Sequence, residues 1–118
     1  MEKMIIPLAP VATPRPRVSK FGTYYPAKYK KYKRELSLLL ADIQPGNTIN
    51  IVFFFPRPKR LKSGLRQPHD VKPDIDNLIK GVLDCLPFDD KIIYSVVAKK
   101  YYCAAGEEPH IQLQIIED

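Results

Sequence analysis

The most strand-like segment of the chain is Thr48-Ile49-Asn50-Ile51-Val52-Phe53-Phe54-Phe55, in which β-branched and aromatic residues predominate. Its second part, residues 51–55, has no polar interruption, which is typical of a strand covered on both faces. Pro56 and Pro58 end the segment. We therefore predict a central strand here, with the other elements arranged around it.

An amphipathic helix is predicted before this strand, from Pro26 until Pro45 and Gly46 stop it. Apolar residues recur at intervals of three and four, as one helix face requires; they are Tyr29, Tyr32, Leu36, Leu39, Leu40 and Ile43. The other face is basic and carries Lys28, Lys30, Lys31, Lys33 and Arg34. We expect the apolar face to pack inward and the basic face to form a cationic ridge in solvent.

Four further apolar segments predict three strands and a second helix. Residues 4–9 form a short edge strand, because Pro7 is tolerated mainly at an edge or a bulge. Residues 74–86 have helical spacing, and residues 92–103 are rich in Ile, Val and Tyr. After residue 109 apolar and polar side chains alternate, which indicates a half-buried last strand. The order β-α-β-α-β-β predicts an α+β (mixed α/β) fold with a mixed sheet and two main helices.

Length and composition fit a single domain over residues 1–118. Hydrophobic residues make up 45% and charged residues 27%, as in ordinary globular proteins, so a disordered chain or a membrane protein is not favoured. No apolar run approaches the roughly 20 residues of a membrane span, and the first residues lack a signal-peptide pattern. Cys85 and Cys103 read as reduced core residues. We expect a cytoplasmic protein.

An excess of positive charge indicates a polyanionic partner. Nineteen Lys and Arg against thirteen Asp and Glu give a net charge of +6, which suits nucleic acid, although a solvated basic surface explains the charge equally well. Basic residues are frequent in two predicted loops, residues 10–25 and 57–72. The predicted DNA-binding residues are Arg15, Arg17, Lys20 and Lys72.

The second loop leads into Lys72-Pro73-Asp74-Ile75-Asp76-Asn77-Leu78-Ile79-Lys80. Mg²⁺ is usually bound by one or two carboxylates with waters and substrate phosphate, and it assists phosphodiester hydrolysis by activating water. Helical residues two apart point about 200° away from each other, so Asp74 must precede the regular helix if it shares an ion with Asp76. Lys80 then lies on the same face as Asp76, where it can contact the scissile phosphate.

The sequence leaves open whether Asp89 or Asp90 joins the first pair of aspartates, and whether these aspartates have only a structural role. Asp89 and Asp90 follow at the far end of the same helix, about 20 Å along its axis from Asp74. If the next strand runs antiparallel to the helix, they reach the first pair only through an adjoining loop or a neighbouring subunit. A purely structural interpretation also stands: a helix N-cap, a first-turn charge and two turn residues.

The segment Asp-x-Asp-Asn-Leu-x-Lys at residues 74–80, followed by Val82-Leu83-Asp84 and Phe88-Asp89-Asp90, resembles the signature region of the RusA family of Holliday junction resolvases. Pro14-Arg15-Pro16-Arg17, with Gly22, Tyr25 and Pro26, is similar to phage-borne members. The connection between Asp84 and Asp89 is shorter than in some members.

The resemblance implies a RusA-like fold and a homodimer that binds four-way junctions. It implies symmetrical paired nicks made with Mg²⁺, which Mn²⁺ can replace, and no organic cofactor. It also implies that Asp74, Asp76 and Asp90 are metal ligands and catalytic residues, with Lys80 as the catalytic lysine.

The combined interpretation is an Mg²⁺-dependent, structure-selective endodeoxyribonuclease that acts on branched DNA in recombination and repair. One alternative is a basic nucleic-acid-binding protein without catalysis, in which the acidic residues only cap a helix. A further alternative is a protein-interaction module whose basic helix meets an acidic partner. Metal-dependent nicking separates the nuclease from the binder, which would keep a salt-sensitive affinity without cutting.

Overall fold

The computed structural model describes residues 3–14, 17–19 and 22–118 of the chain. Its helices are α1 (Ala27–Leu39) and α2 (Ile75–Leu83), with a short 3₁₀ helix at Asp90–Ile92. Its strands are β1 (Met4–Ile6), β2 (Arg17–Ser19), β3 (Gly22–Tyr24), β4 (Thr48–Phe55), β5 (Gln67–Pro68), β6 (Ser95–Tyr102) and β7 (His110–Ile116). The predicted order β-α-β-α-β-β is present as β1, α1, β4, α2, β6 and β7, and the predicted α+β class is confirmed.

A five-stranded mixed sheet in the order β1-β7-β4-β6-β5 organises the molecule. Strands β4 and β6 are parallel, and α2 lies in the connection between them, as parallel neighbours require a crossover. Strand β7 pairs antiparallel with both β4 and β1. The predictions that β4 is central and β1 lies at an edge are confirmed.

Both helices pack against one face of this sheet. Strand β4 contributes Ile49, Ile51 and Phe53 to the core, each at most 1% exposed. The helices and the outer strands complete this core with Tyr29, Tyr32, Leu36, Leu78, Val82, Ile6, Ile111, Leu113 and Ile115. The period-two spacing in β4 and β7 is therefore the pattern of a sheet with one helix-covered face.

The opposite face of the sheet is largely open, so the predicted coverage of residues 51–55 on both faces is wrong for Val52, which is half-buried. Phe54 is the exception and is only 2% exposed. The rings of His110 and Tyr101 stack on it, with centroids 4.3 and 6.0 Å away, and the guanidinium of Arg66 lies 4.3 Å from its ring centre. Local side-chain packing, rather than a second layer of helices, buries this aromatic ring.

Helix α1 begins at Ala27 after Pro26 and is shorter than predicted, because Leu40 already closes its last turn. The predicted inward positions are buried at Tyr29, Tyr32, Leu36 and Leu40, whereas Leu39 is 40% exposed. The predicted cationic face is exposed at Lys28, Lys30, Lys31 and Arg34, and Lys33 is half-buried.

Two short pairings lie within segments predicted as loops. Strands β2 and β3 pair antiparallel, with Val18 opposite Thr23. Strand β5 adds Gln67 and Pro68 to the edge of β6. Runs of two or three residues carry too little periodicity to be separated from loops in the sequence.

Cys85 and Cys103 are buried free thiols, as predicted. Burial raises the pKa of both thiols, which keeps them in the unreactive protonated form. Across the described part of the chain, no helix has the length and apolar character needed to cross a membrane.

Candidate active site at the start of α2

Asp74 occupies the position immediately before α2. Its backbone is extended, with φ −70° and ψ 146°, and the regular helix begins at the next residue. This is the placement that the helical rotation required for a pair formed by Asp74 and Asp76. Within the described residues the Asp74 side chain makes no capping hydrogen bond, so the interpretation of Asp74 as an ordinary N-cap loses its main support.

Asp76 lies in the first turn of α2 and is exposed. Its Oδ1 accepts a hydrogen bond of 3.0 Å from the backbone N–H of Asn77. Asp74 is also exposed, and neither carboxylate forms an ion pair with a side chain among the residues that the structure describes. The start of α2 therefore presents two carboxylates without a cationic partner, next to the positive end of the helix dipole.

Lys80 is one helical turn beyond Asp76 and points its ammonium at Asp84. The Nζ to Oδ2 distance is 3.2 Å, so the two side chains form a salt bridge between residues four apart on the helix. The hydrogen bond from Lys80 to Asp84 raises the pKa of Lys80, so the side chain is a cation at neutral pH. Lys80 suits electrostatic contact with a phosphate rather than proton abstraction.

The segment before Asp74 is attached to β6 by Lys100. The Nζ of Lys100 donates to the carbonyl oxygens of Val71 and Pro73, each at 2.6 Å. The backbone N–H of His69 donates to the carbonyl oxygen of Lys100 at 3.0 Å. The peptide between Lys72 and Pro73 is cis. The last residues before the acidic pair thus follow the edge of β6.

The ring of His69 fills the space beneath this segment. It stacks on Phe55 at a centroid distance of 4.0 Å, contacts Tyr102 at 4.8 Å and leaves the residue 6% exposed. Burial, together with the charge of Lys100, lowers the pKa of His69, so the ring is neutral at pH 7. This loop histidine is buried because the aromatic residues at the ends of β4 and β6 enclose it.

Asp89 and Asp90 differ in their surroundings. Asp89 caps the 3₁₀ helix, since its Oδ1 accepts from the backbone N–H of Lys91 at 3.0 Å. Its Oδ2 also lies 3.6 Å from Lys91 Nζ. Asp90 begins that helix and is exposed. Asp90 is therefore the member of the pair whose carboxylate is left for another role.

Asp90 lies at the opposite end of β6 from Asp74. Tyr94, four residues after Asp90, donates its backbone N–H to Asn47 beside the start of β4, whereas Asp74 follows the segment held by Lys100. The six residues from Ser95 to Lys100 are separated by five steps of about 3.3 Å, which together span roughly 17 Å. Helix α2 thus runs antiparallel to β6, and within the described residues no three Asp, Glu, His or Cys side chains are grouped to hold one metal ion.

Of the four predicted DNA-binding residues, the structure describes the side chain of Lys72 alone. Arg15 and Lys20 lie outside the described residues, and Arg17 is described only through its backbone pairing with Tyr24. Lys72 is exposed beside the acidic pair. Thr13 donates its backbone N–H to the carbonyl oxygen of Asn77 at 3.2 Å, so the chain passes α2 shortly before the first basic segment.

Some basic residues of the loop 57–72 have structural contacts instead. Arg57 donates to the carbonyl oxygens of Leu65 and Cys103, at 2.8 and 3.1 Å. Arg66 forms a two-point ion pair with Glu107. These hydrogen bonds and this ion pair stabilise the loop. The number of basic residues in the loop therefore overstates the cationic surface available to DNA.

No role was predicted for Lys100 from the sequence. Its position in the alternation of β6 could have indicated one, because every second residue of a strand points to the same face. That face packs against α2 and carries Val96, Ala98, Lys100 and Tyr102. Lysine is seldom buried unless it is paired, so a lysine at this position implies polar partners nearby.

Comparison with known proteins identifies the family of this chain. Residues 7–116 match the family described as "Endodeoxyribonuclease RusA". A protein of Bacillus subtilis (strain 168), named "Uncharacterized protein YqaN", is 31% identical, and the match covers 92% of this chain and 90% of that protein. Because nearly the whole chain is matched, including the acidic segment at the start of α2, the protein belongs to the RusA family of endodeoxyribonucleases, enzymes that cut DNA at crossover junctions.

Proposed function

We propose that this nuclease resolves four-way DNA junctions by paired symmetrical nicks that require Mg²⁺, with Asp74 and Asp76 as metal ligands. The observation that carries the proposal is the pair of exposed carboxylates at the start of α2, which have no cationic partner among the described residues. A purely structural role for Asp74 and Asp76 would not explain why two neighbouring negative charges lack a compensating cation among the described residues. A divalent cation bridging protein and phosphate gives them a function.

The donor set suits a hard cation. Mg²⁺ commonly takes one or two protein carboxylates and fills its remaining positions with water and substrate phosphate. Bound there, Mg²⁺ or Mn²⁺ supplies Lewis acidity that favours attack of water on phosphorus. Asp74 and Asp76 would hold the ion. Lys80 would exchange its contact with Asp84 for the scissile phosphate, where its positive charge would offset the charge that develops.

We further propose that Asp90 acts in the site of the other subunit of a homodimer. Within the described residues, no strand pairs with the outer edge of β6 between Ser95 and Lys99. His69 donates to the carbonyl oxygen of Lys100, and β5 pairs with Tyr101 and Tyr102. Apolar side chains are exposed at the start of β6 and just before it: Ile92 43%, Tyr94 67%, Val96 40% and Val97 53%. An open, apolar edge strand invites pairing with a second chain.

Antiparallel pairing of two β6 edges around a two-fold axis would connect the separated carboxylates. Such an interface places the start of each β6 beside the end of its partner, because the strands run in opposite directions. Asp90 of the partner subunit would then lie near Asp74 and Asp76 of the first. The roughly 17 Å that separates the groups along one chain would be bridged between two chains.

The junction-binding surface is proposed to combine the cationic face of α1 with Lys72 and the segment containing Arg15, Arg17 and Lys20. The α1 face is exposed and its only ion pair within the described residues is a 4.0 Å contact between Lys31 and Glu35. Exposed cations of this kind bind the phosphate backbone and make affinity fall steeply with salt.

The test compares a synthetic four-way junction with a linear duplex, in Mg²⁺, Mn²⁺ or EDTA. Wild-type protein is expected to place paired nicks in the junction only when a divalent metal is present. Asp76→Asn is expected to bind the junction without cutting it, whereas Asp42→Asn, an exposed aspartate after α1, should cut like wild type. Tight junction binding without cleavage in either metal would instead favour the non-catalytic DNA-binding alternative.

A further inference from the structure

We propose that Lys100 is a positioning residue of the nuclease site, which holds the segment 71–73 so that Asp74 and Asp76 face the same ion. The inference rests on the proposed function for its chemical consequence. The contact itself is independent of that function, because Lys100 donates to two carbonyl oxygens within three residues of Asp74.

Lys100 contacts the peptide group that directly precedes Asp74. Its Nζ lies 2.6 Å from both Val71 and Pro73 oxygens, and the Pro73 carbonyl belongs to the peptide that begins Asp74. Moving this carbonyl therefore moves the Asp74 backbone directly. Since Asp74 makes no capping hydrogen bond of its own in the described structure, the helix does not fix its side chain.

The contacts around Lys100 fix its backbone in the sheet. Lys100 lies in β6 beside Phe53 of the central strand, and its carbonyl accepts from the His69 backbone N–H at 3.0 Å. The buried His69 ring then holds the other end of the segment between Phe55 and Tyr102. The segment before Asp74 is thus held at two points, and Lys100 provides the one nearer the carboxylates.

A lysine suits this role better than an apolar residue. The side chain is half-buried, so its charge needs hydrogen-bond acceptors, and two carbonyl dipoles supply them. The adjacent Lys99 has the opposite orientation on β6 and is exposed, with no such contact among the described residues. Lys99 is therefore the matched control for charge and chain position.

The experiment compares Lys100→Met, Lys100→Arg and Lys99→Met with wild type in three measurements: junction affinity, single-turnover cleavage and amide hydrogen exchange of residues 69–76. Lys100→Met keeps the length of the side chain and removes its donors. We expect its cleavage rate to fall about 30-fold or more, since small displacements of reacting groups cost up to about 100-fold. Junction affinity should stay within about threefold, because phosphate contacts elsewhere supply most of it.

Hydrogen exchange gives the readout that a general loss of stability would not imitate. In Lys100→Met, exchange should accelerate at His69, whose N–H donates to the Lys100 carbonyl beside the lost anchor, and stay unchanged in α1 and β4. Lys100→Arg retains donors and should recover most of the rate. Lys99→Met should match wild type in all three measurements.

Each outcome bears on a separate claim. Normal cleavage by Lys100→Met, or unchanged exchange at His69, would overturn the positioning role. Unfolding of the variant would appear as faster exchange throughout, and Lys100→Arg would then decide the question by its own rate and exchange. If wild type cuts no junction, the proposed function fails, while the exchange at His69 still tests the anchor.

Discussion

A subunit-mixing experiment tests where Asp90 acts. One chain separates Asp90 from Asp74 by roughly 17 Å along β6, whereas a Mg²⁺ ligand must lie about 2.1 Å from the ion. Asp90 of the same chain is therefore too distant to join the pair, and the proposed dimer supplies it from the partner. Two inactive variants, Asp76→Asn and Asp90→Asn, should then restore activity when their subunits are mixed.

The expected magnitude follows from counting sites. Random association of equal amounts makes about half of the dimers mixed, and each mixed dimer contains one site with both wild-type aspartates and one with neither. If the chains associate equally, the mixture should contain about one quarter of the active sites of wild type, and its nicking rate should return to about one quarter of the wild-type rate. Because each mixed dimer has one working site, single nicks should accumulate in place of the paired nicks of wild type.

The assay uses a labelled four-way junction on denaturing gels, with differently tagged chains to verify that mixed dimers form. A mixture of Asp74→Asn and Asp76→Asn is the control, because both positions serve the site of their own chain. Each site of a mixed dimer then keeps one substitution, so activity should not return. Failure of Asp76→Asn and Asp90→Asn to complement, in verified mixed dimers, would refute the shared site and assign Asp90 to its own chain.

Three further predictions concern single residues. Gly46→Ala should destabilise the fold by about 1–3 kcal/mol in denaturant unfolding, because an added Cβ would lie 2.5 Å from a side chain of β7 and 2.8 Å from a backbone oxygen there; Gly64→Ala, whose nearest contact would be at 3.8 Å, should change stability little. Glu107 has its pKa lowered to about 2 by its arginine partner, so the ion pair stabilises the fold above the ordinary glutamate range and this contribution is lost as pH falls towards 2; Glu107→Gln should remove that dependence, with an effect of about 1 kcal/mol or less for a surface pair. Asp84→Asn should lower the raised pKa of Lys80 and shift the alkaline fall of kcat/KM to lower pH, because the proposed phosphate contact needs the protonated amine; an unchanged pH profile would argue against that role.

The placement of Asp74 was predictable because it depends on local geometry. Helical rotation separates residues two apart, and Pro73 marks a boundary, so a shared ion required Asp74 outside the regular helix. The central position of β4 was also predicted from a local pattern, the uninterrupted β-branched and aromatic run, although the coverage of both faces that this run suggested was wrong for Val52. Both conclusions use only residues close together in the chain.

The anchor formed by Lys100 could not be predicted in the same way. It joins residues 27 and 29 positions apart, and it depends on the antiparallel course of α2 over β6. The pairing of β5 with β6 is equally non-local and only two residues long. Nothing in the sequence near Asp74 indicates which distant strand donates to its preceding carbonyls.

Asp90 illustrates a different limit. Its sequence position beside Asp89 suggests two equivalent carboxylates, yet Asp89 is occupied by the backbone N–H of Lys91 and Asp90 is not. The parallel alignment of β6 with β4 directs Asp90 away from the acidic pair of its own chain, because a strand that follows a helix in a crossover returns antiparallel to it. Under the proposed function, a third carboxylate at this position would complete the metal site across an interface. The requirement for a dimer would then arise from the direction of one strand, and the open edge of β6 is the surface that could satisfy it.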